Sequence, residues 1–304
     1  MSSLLYALKR RPLLSDGALG TQLLLAGLKK DECGESWNLE RRESVLNVQR
    51  QYVQAGADCL TTNTFGGCRL ALARHGLEDK TMELNQAAVQ IAREAFESEK
   101  KEGFVLGSIG PLPEGIEPRG SAKKADAASA LREQAEILTA SSVDAIILET
   151  QVTLDELEIG VEAARQAGAP CIIGSIAFEF TDGAVRTADG ATPDDAAQFM
   201  VERKVDIIGM NCGRNIDIEQ AQAIIEQFAA SCKKPLMARP NAGQPKVGRG
   251  GKLNYPLSPR DMADGISFLI HMGARIVGGC CGTTPEYIHA FRKAVDRWQA
   301  EQTI

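Results

Sequence analysis

No run of eighteen apolar residues occurs in the chain, so no helical membrane span is expected. There is no basic surplus: 34 Lys and Arg stand against 40 Asp and Glu, a formal net charge of −6. That argues against a general polyanion-binding role, nucleic acid included, which needs a basic face to neutralise phosphates, though it leaves room for a small local basic patch. The opening MSSLLYALKRRPLLSDG places its basic residues after a very short apolar stretch, the wrong order for a signal peptide. Histidine is scarce. His75, His271 and His289 all lie in helical surroundings and read as surface or packing residues. No low-complexity linker or charge shift divides the chain, so one domain over 1–304 is expected, in the cytoplasm.

Glycine-rich phosphate turns are missing too. DGALG at 16–20 comes closest to a dinucleotide fingerprint and lacks its spacing, which argues against a doubly wound open sheet. What is present is an ordinary globular balance, 44% hydrophobic and 24% charged. At 304 residues the chain can bury a large core without disulfides or a metal. Eight cysteines without a secretion signal therefore read as thiols in a reducing compartment, where they serve as metal ligands or small buried hydrophobes.

Short β-type runs recur at 13–16, 58–63, 104–109, 144–149, 171–178, 205–211, 235–239 and 275–279. Several are continuously apolar (AIILE, CIIGSIAF, DIIGM), as strands covered on both faces must be. Amphipathic helical segments lie between them, at 44–55, 82–98, 124–141, 154–167, 193–204 and 219–231. Eight such units predict an α/β fold, a single-domain (β/α)₈ TIM barrel. Two loops rich in Gly and Pro, Pro111–Ser121 and Asn241–Pro256, are long enough to act as binding loops.

Polar residues gather where the strands end: Asp16-Gly17, Asn63-Thr64, Glu149-Thr150, Asn211-Cys212, Pro240-Asn241 and Cys280-Cys281. In a barrel these ends share the face on which active sites are built. Adjacent cysteines in a regular strand point to opposite faces, so 280 and 281 can share a metal only if the backbone leaves strand geometry. Gly278, Gly279 and Gly282 supply that freedom. Thr284, Pro285 and Glu286 then form a helix start with a threonine cap. Cys212 ends the sixth strand, close enough to be a third ligand. Three thiolates and one remaining position is the ligand pattern of an open zinc site. On these residues alone other readings stand beside it: Cys212 as a buried hydrophobe, and the vicinal pair as a strained disulfide or two packed thiols. Cys59 and Cys171 sit inside strands and read as core; Cys33, Cys68 and Cys232 have no metal-like context.

DGALGTQL (16–23), TTNTFGG (61–67), ILET (147–150), GMNC (209–212), RPNAG (239–243) and GGCCGTTPEYI (278–288) together resemble the homocysteine S-methyltransferases. The likeness runs in order from about residue 11 to 293. It implies a (β/α)₈ barrel in which Cys212, Cys280 and Cys281 hold Zn2+. It also implies that Asn241 takes the fourth metal position until substrate arrives. Asp16 and Glu149 would orient the amino group of homocysteine, and backbone amides of the turn at Gly17 and Ala18 its carboxylate. The read activity is methyl transfer to the homocysteine thiolate, giving methionine.

The chain stops soon after its eighth helix, with no folate- or cobalamin-binding domain. The donor is therefore expected to be a small sulfonium or ammonium compound, or a separate methylcorrinoid protein. Two tryptophans and four tyrosines offer little for an aromatic cage around a methylated cation. Trp37 reads as a packing anchor, and Trp298 packs or frays near the terminus. A small sulfonium such as S-methylmethionine ranks first, and Lys246, Arg249 and Lys252 in the loop after the seventh strand read as a solvated segment. Arg239 departs from the barrel modules of methionine synthase, which generally carry an acidic residue there. Two further readings remain: a thiol- or cofactor-methylating subunit of a corrinoid system, and a non-catalytic zinc-bound amino acid sensor.

Overall fold

The eight β runs become eight parallel strands in a computed structural model that describes residues 3–248 and 253–302. They are β1 (Leu13–Leu14), β2 (Cys59–Thr61), β3 (Phe104–Ile109), β4 (Ala145–Gln151), β5 (Ile172–Ile176), β6 (Ile207–Asn211), β7 (Leu236–Arg239) and β8 (Ala274–Val277). Each pairs with its neighbour in sequence, and β8 returns to β1. A bridge between Ser15 and Cys59 closes the remaining seam, where the Asp16 amide donates to the Cys59 carbonyl at 3.0 Å. The result is the expected (β/α)₈ barrel.

β1, β2 and β8 stop earlier than their sequences suggest, at Leu14, Thr61 and Val277. Asp16, Asn63 and Gly279 lie beyond those ends: Asn63 lines the barrel mouth, and the Gly279 amide donates to the Asp16 carbonyl at 3.1 Å. Alternation explains what fills the interior. Leu13, Cys59, Leu106, Ile147, Ile173, Met237 and Ile276 form one buried apolar cluster. Two residues further along the same strands, on the same face, come Ser15, Thr61, Ser108, Glu149, Ser175, Arg239 and Gly278. A polar storey thus stands directly on an apolar one. Cys59 and Cys171 belong to the apolar storey, as expected.

The floor comes from an element the strand pattern did not predict. Helix Ser3–Arg10 inserts Leu4 and Leu8 into the interior cluster and closes the barrel below. A larger apolar layer lies between the strands and the outer helices, which include Arg42–Gln54, Thr81–Ser98, Lys124–Ala140, Leu154–Gln166, Pro193–Glu202 and Ile218–Ser231. Thr192, Asp217 and Ser258 each start a helix with a reciprocal capping box. Pro285 opens the last helix, Pro285–Glu301, but Thr284 makes no side-chain cap bond, contrary to the expected threonine cap. Trp37 is buried in the outer layer with the Arg41 guanidinium over its ring, a packing anchor.

Two hairpins were also unforeseen. Glu179–Thr181 pairs with Ala184–Arg186, and Lys246–Val247 pairs with Leu253–Asn254 inside the loop expected to be irregular. Arg249 and Lys252 lie outside the described residues. His75, His271 and His289 are exposed.

Candidate functional site

At the mouth of the barrel the polar storey meets three sulfurs. The Sγ atoms of Cys212, Cys280 and Cys281 all lie within 4.8 Å of one another, the one such cluster of possible metal ligands among the described residues. Cys212 follows the last residue of β6 with φ +57°, a left-handed conformation that a side-chain-bearing residue adopts only under constraint. Its amide donates to the Arg239 carbonyl at 3.3 Å, which fixes the turn. Thr150, after Glu149, has φ +58° and is held by Asn211: the Thr150 amide donates to Asn211 Oδ1 at 2.9 Å, and Asn211 Nδ2 donates to Thr150 Oγ1 at 2.7 Å.

The glycines around the cysteine pair act differently from expectation. Only Gly282 has a positive φ, +83°, and a Cβ there would lie 2.2 Å from the Tyr255 ring. Gly278 and Gly279 are required by space instead. A Cβ on Gly279 would sit 2.3 Å from Thr283 Oγ1, and one on Gly278 2.9 Å from the Asp16 carbonyl. The tight fold of 278–283 is what lets both adjacent sulfurs face one point.

The three thiols titrate as a group. Hydrogen bonds from Cys280 and Cys281 hold Cys212 down to about 3. The contact with Cys212, helped by burial and opposed by Cys281, pushes Cys280 up to about 11, and contacts with both other thiols push Cys281 further up. A cation among the sulfurs would favour their thiolate forms. Burial and the neighbouring thiols push the Tyr255 phenol up as well.

Zinc fits this donor set. Soft sulfur ligands converge, and a fourth donor stands ready. Asn241 is buried, and while its Nδ2 donates to the Gly213 carbonyl at 3.3 Å, its Oδ1 accepts no hydrogen bond among the described residues. A buried carbonyl oxygen without a partner costs about 1–3 kcal/mol, which a metal ligand role would offset.

The sulfurs open into a cavity of about 370 Å³. Gly17, Ala18, Glu149, Cys212, Cys280 and Cys281 line it, together with Arg239. Asp16 does not. Its carboxylate, 1% exposed, is enclosed by four donors: the Thr61 amide and hydroxyl, both at 2.7 Å, Ser15 Oγ at 3.0 Å and Arg239 Nη2 at 3.0 Å. Glu149 accepts from Ser108 Oγ at 2.6 Å and from Arg239 Nη1 at 3.2 Å. Burial pushes both carboxyls up, against the pull of Arg239. Burial in turn pulls Arg239 down, but the two carboxylates and Cys280 hold it above its ordinary value. The Ala18 amide donates to the carbonyl and hydroxyl of Thr283, both at 3.2 Å.

The structure therefore brings the cysteines, Glu149 and the 17–18 turn to one cavity, places the Asn241 side chain beside Cys212 but outside the cavity lining, and sets Asp16 behind the wall. Sequence reasoning gave no role to Arg239, Ser108, Ser175 and Asn211. Their signal was legible: each is polar at the interior phase of an otherwise apolar strand. Tyr255 carried no such signal, since it reaches the site from a loop.

A family model described as homocysteine S-methyltransferase matches residues 13–295. The methionine synthases of Mycobacterium tuberculosis and Mycobacterium leprae are each 32% identical over 97% of this chain. The chain spans only about a quarter of their length, 25% in both cases. The metallated form of the homocysteine methyltransferase MmuM from Escherichia coli superposes with a TM-score of 0.77 at 25% identity, covering 94% of this chain and 96% of that one. Dihydropteroate synthase from Stenotrophomonas maltophilia, at 13% identity and a TM-score of 0.56 over 98% of this chain and 95% of that one, shares the fold alone.

Proposed function

This chain belongs to the homocysteine S-methyltransferase family, and we propose that it methylates the thiol of homocysteine at a zinc centre held by Cys212, Cys280 and Cys281. The observation that carries this reading is the meeting of three sulfurs and Glu149 in one cavity. Zinc, when bound, supplies the acceptor sulfur as thiolate at neutral pH, where a free thiol titrating near 8.5 would be mostly protonated.

The chain's own residues do the rest. Asn241 would offer its unpartnered Oδ1 as a fourth donor to the metal. Glu149 receives the ammonium group, backed by Ser108 and Arg239. The Ala18 amide is occupied by Thr283, so the substrate carboxylate falls to the other amides of that wall, those of Gly17, Leu19, Gly20 and Thr21. The acceptor is thereby fixed at both ends with its sulfur directed up the cavity. In the transfer a sulfur–carbon bond forms while the donor's carbon–heteroatom bond breaks, its electron pair leaving with the donor. Much of the rate comes from holding these groups in line.

The donor we propose is a small sulfonium. Glu35 lines the same cavity and supplies a negative charge for an onium, whereas Phe65 is the one aromatic ring in the lining, too few for a quaternary ammonium cage. A second reading, favoured by the identity with the methionine synthases, takes the methyl group from a separate methylcorrinoid protein. We place the protein in the cytoplasm and treat 1–304 as one homocysteine-binding domain; no described helix is long and apolar enough to cross a membrane.

The test is a donor screen. Zinc-loaded protein is incubated with homocysteine and, in turn, S-methylmethionine, betaine and methylcobalamin, and methionine is measured. Turnover with the sulfonium is expected. Turnover with methylcobalamin alone would favour the corrinoid reading, and none with any donor would favour an amino acid sensor.

A further inference from the structure

The two carboxylates at this mouth already share a cation. Arg239 is 2% exposed and sends Nη2 to Asp16 at 3.0 Å, Nη1 to Glu149 at 3.2 Å and Nε to the Gly279 carbonyl at 3.3 Å. Asp16, with its other three donors, has its acceptor positions filled and lies outside the cavity lining, while Glu149 lines it. We infer that Arg239 is the specificity-determining positioning residue of the acceptor site: anchored on Asp16, it aims Glu149 and leaves that carboxylate as the single anionic contact for the acceptor's ammonium group.

This rests on the proposed homocysteine reading and deepens it. Two carboxylates facing one ammonium would leave an excess negative charge beside three thiolates. With Arg239 between them the two carboxylates and the guanidinium together carry a net charge of −1, matched to one ammonium. A guanidinium suits the task because its planar fork reaches both carboxylates and the Gly279 carbonyl at once, which a lysine ammonium cannot do in the same geometry. The arrangement divides two chemically similar residues into an anchor and a recogniser.

The experiment is equilibrium calorimetry on the zinc-loaded chain with two thiols, homocysteine and 4-mercaptobutanoate, which lacks the amino group. No methyl donor is required. The unaltered chain is expected to prefer homocysteine by roughly ten- to a hundredfold, the value of one charge-assisted hydrogen bond. Glu149→Gln should remove that preference. Asp16→Asn should retain it, even if both affinities fall. Arg239→Lys should weaken homocysteine binding at least tenfold, with zinc content and far-ultraviolet dichroism unchanged. Loss of the preference in Asp16→Asn would place Asp16 on the ammonium and overturn the inference. Unaltered homocysteine binding in Arg239→Lys would overturn it too. Equal binding of the two thiols by the unaltered chain, or binding of neither, would instead sink the homocysteine reading itself and the inference with it.

Discussion

Single residues at this mouth do work that their neighbours in sequence cannot share. Cys212 follows the end of β6 in a left-handed conformation, and its sulfur meets two others only because the turn 278–283 packs Gly279 against Thr283. Replacing Cys281 by Ala is expected to reduce zinc from about one per chain to near none, because a site needing three sulfurs and one exchangeable position is left with two. Elemental analysis checks this, and full zinc in the variant would refute the ligand assignment. Asn211 is the second test. It accepts from Ser175 Oγ at 2.5 Å and the Thr150 amide at 2.9 Å, and it donates to Thr150 Oγ1. Asn211→Ala strands those buried partners and should cost about 1–3 kcal/mol in denaturant unfolding. A cost below a few tenths would show that water replaces the side chain.

At the level of elements, the strands carry a code that is simple once the barrel is closed. Alternation places Ile147 and Glu149, or Met237 and Arg239, on the same interior face, so an apolar floor and a polar roof come from the same short run. The eight strands and six of the helices were legible because hydrophobic periodicity marks them. Helix Ser3–Arg10 was not predicted, since its Leu4 and Leu8 find their partners only inside the finished barrel. Leu8→Ala should therefore cost about 2–5 kcal/mol of stability, as for other buried leucines. Zinc content should stay unchanged, because the floor lies at the opposite end of the barrel from the sulfurs. Loss of zinc in this variant, with the protein still folded, would show the two ends to be coupled. Asp58 reinforces the same end: it accepts from Arg11, from Arg292 and from the Leu14 amide, tying the first loop to the last helix.

Across the whole molecule the proposed metal site is an addition to the core, not its foundation. Two apolar clusters, one inside the barrel and one between strands and helices, bury the bulk of the hydrophobic residues and include none of Cys212, Cys280 and Cys281. Chelation should accordingly leave the far-ultraviolet dichroism intact. It should lower the melting temperature only by the linkage between metal binding and folding, which falls away as free zinc approaches its dissociation constant. Collapse of the dichroism on chelation would mean that the metal organises the fold, as in zinc-dependent small domains.

The sequence by itself determined the barrel, the three cysteines and the family, because each is written in local order: strand periodicity, strand-end residues, and motifs of fixed spacing. It also placed Asp16 and Glu149 at strand ends and marked Arg239 as a departure from the methionine synthase barrels. Only the tertiary structure decided how those charges divide their labour. Asp16 and Arg239 are 223 residues apart in the chain, and the ion pair between them exists because β1 and β7 flank β8 in the closed ring. Which carboxylate faces the cavity and which stands behind its wall depends on that closure, a property of three-dimensional packing that no local pattern encodes.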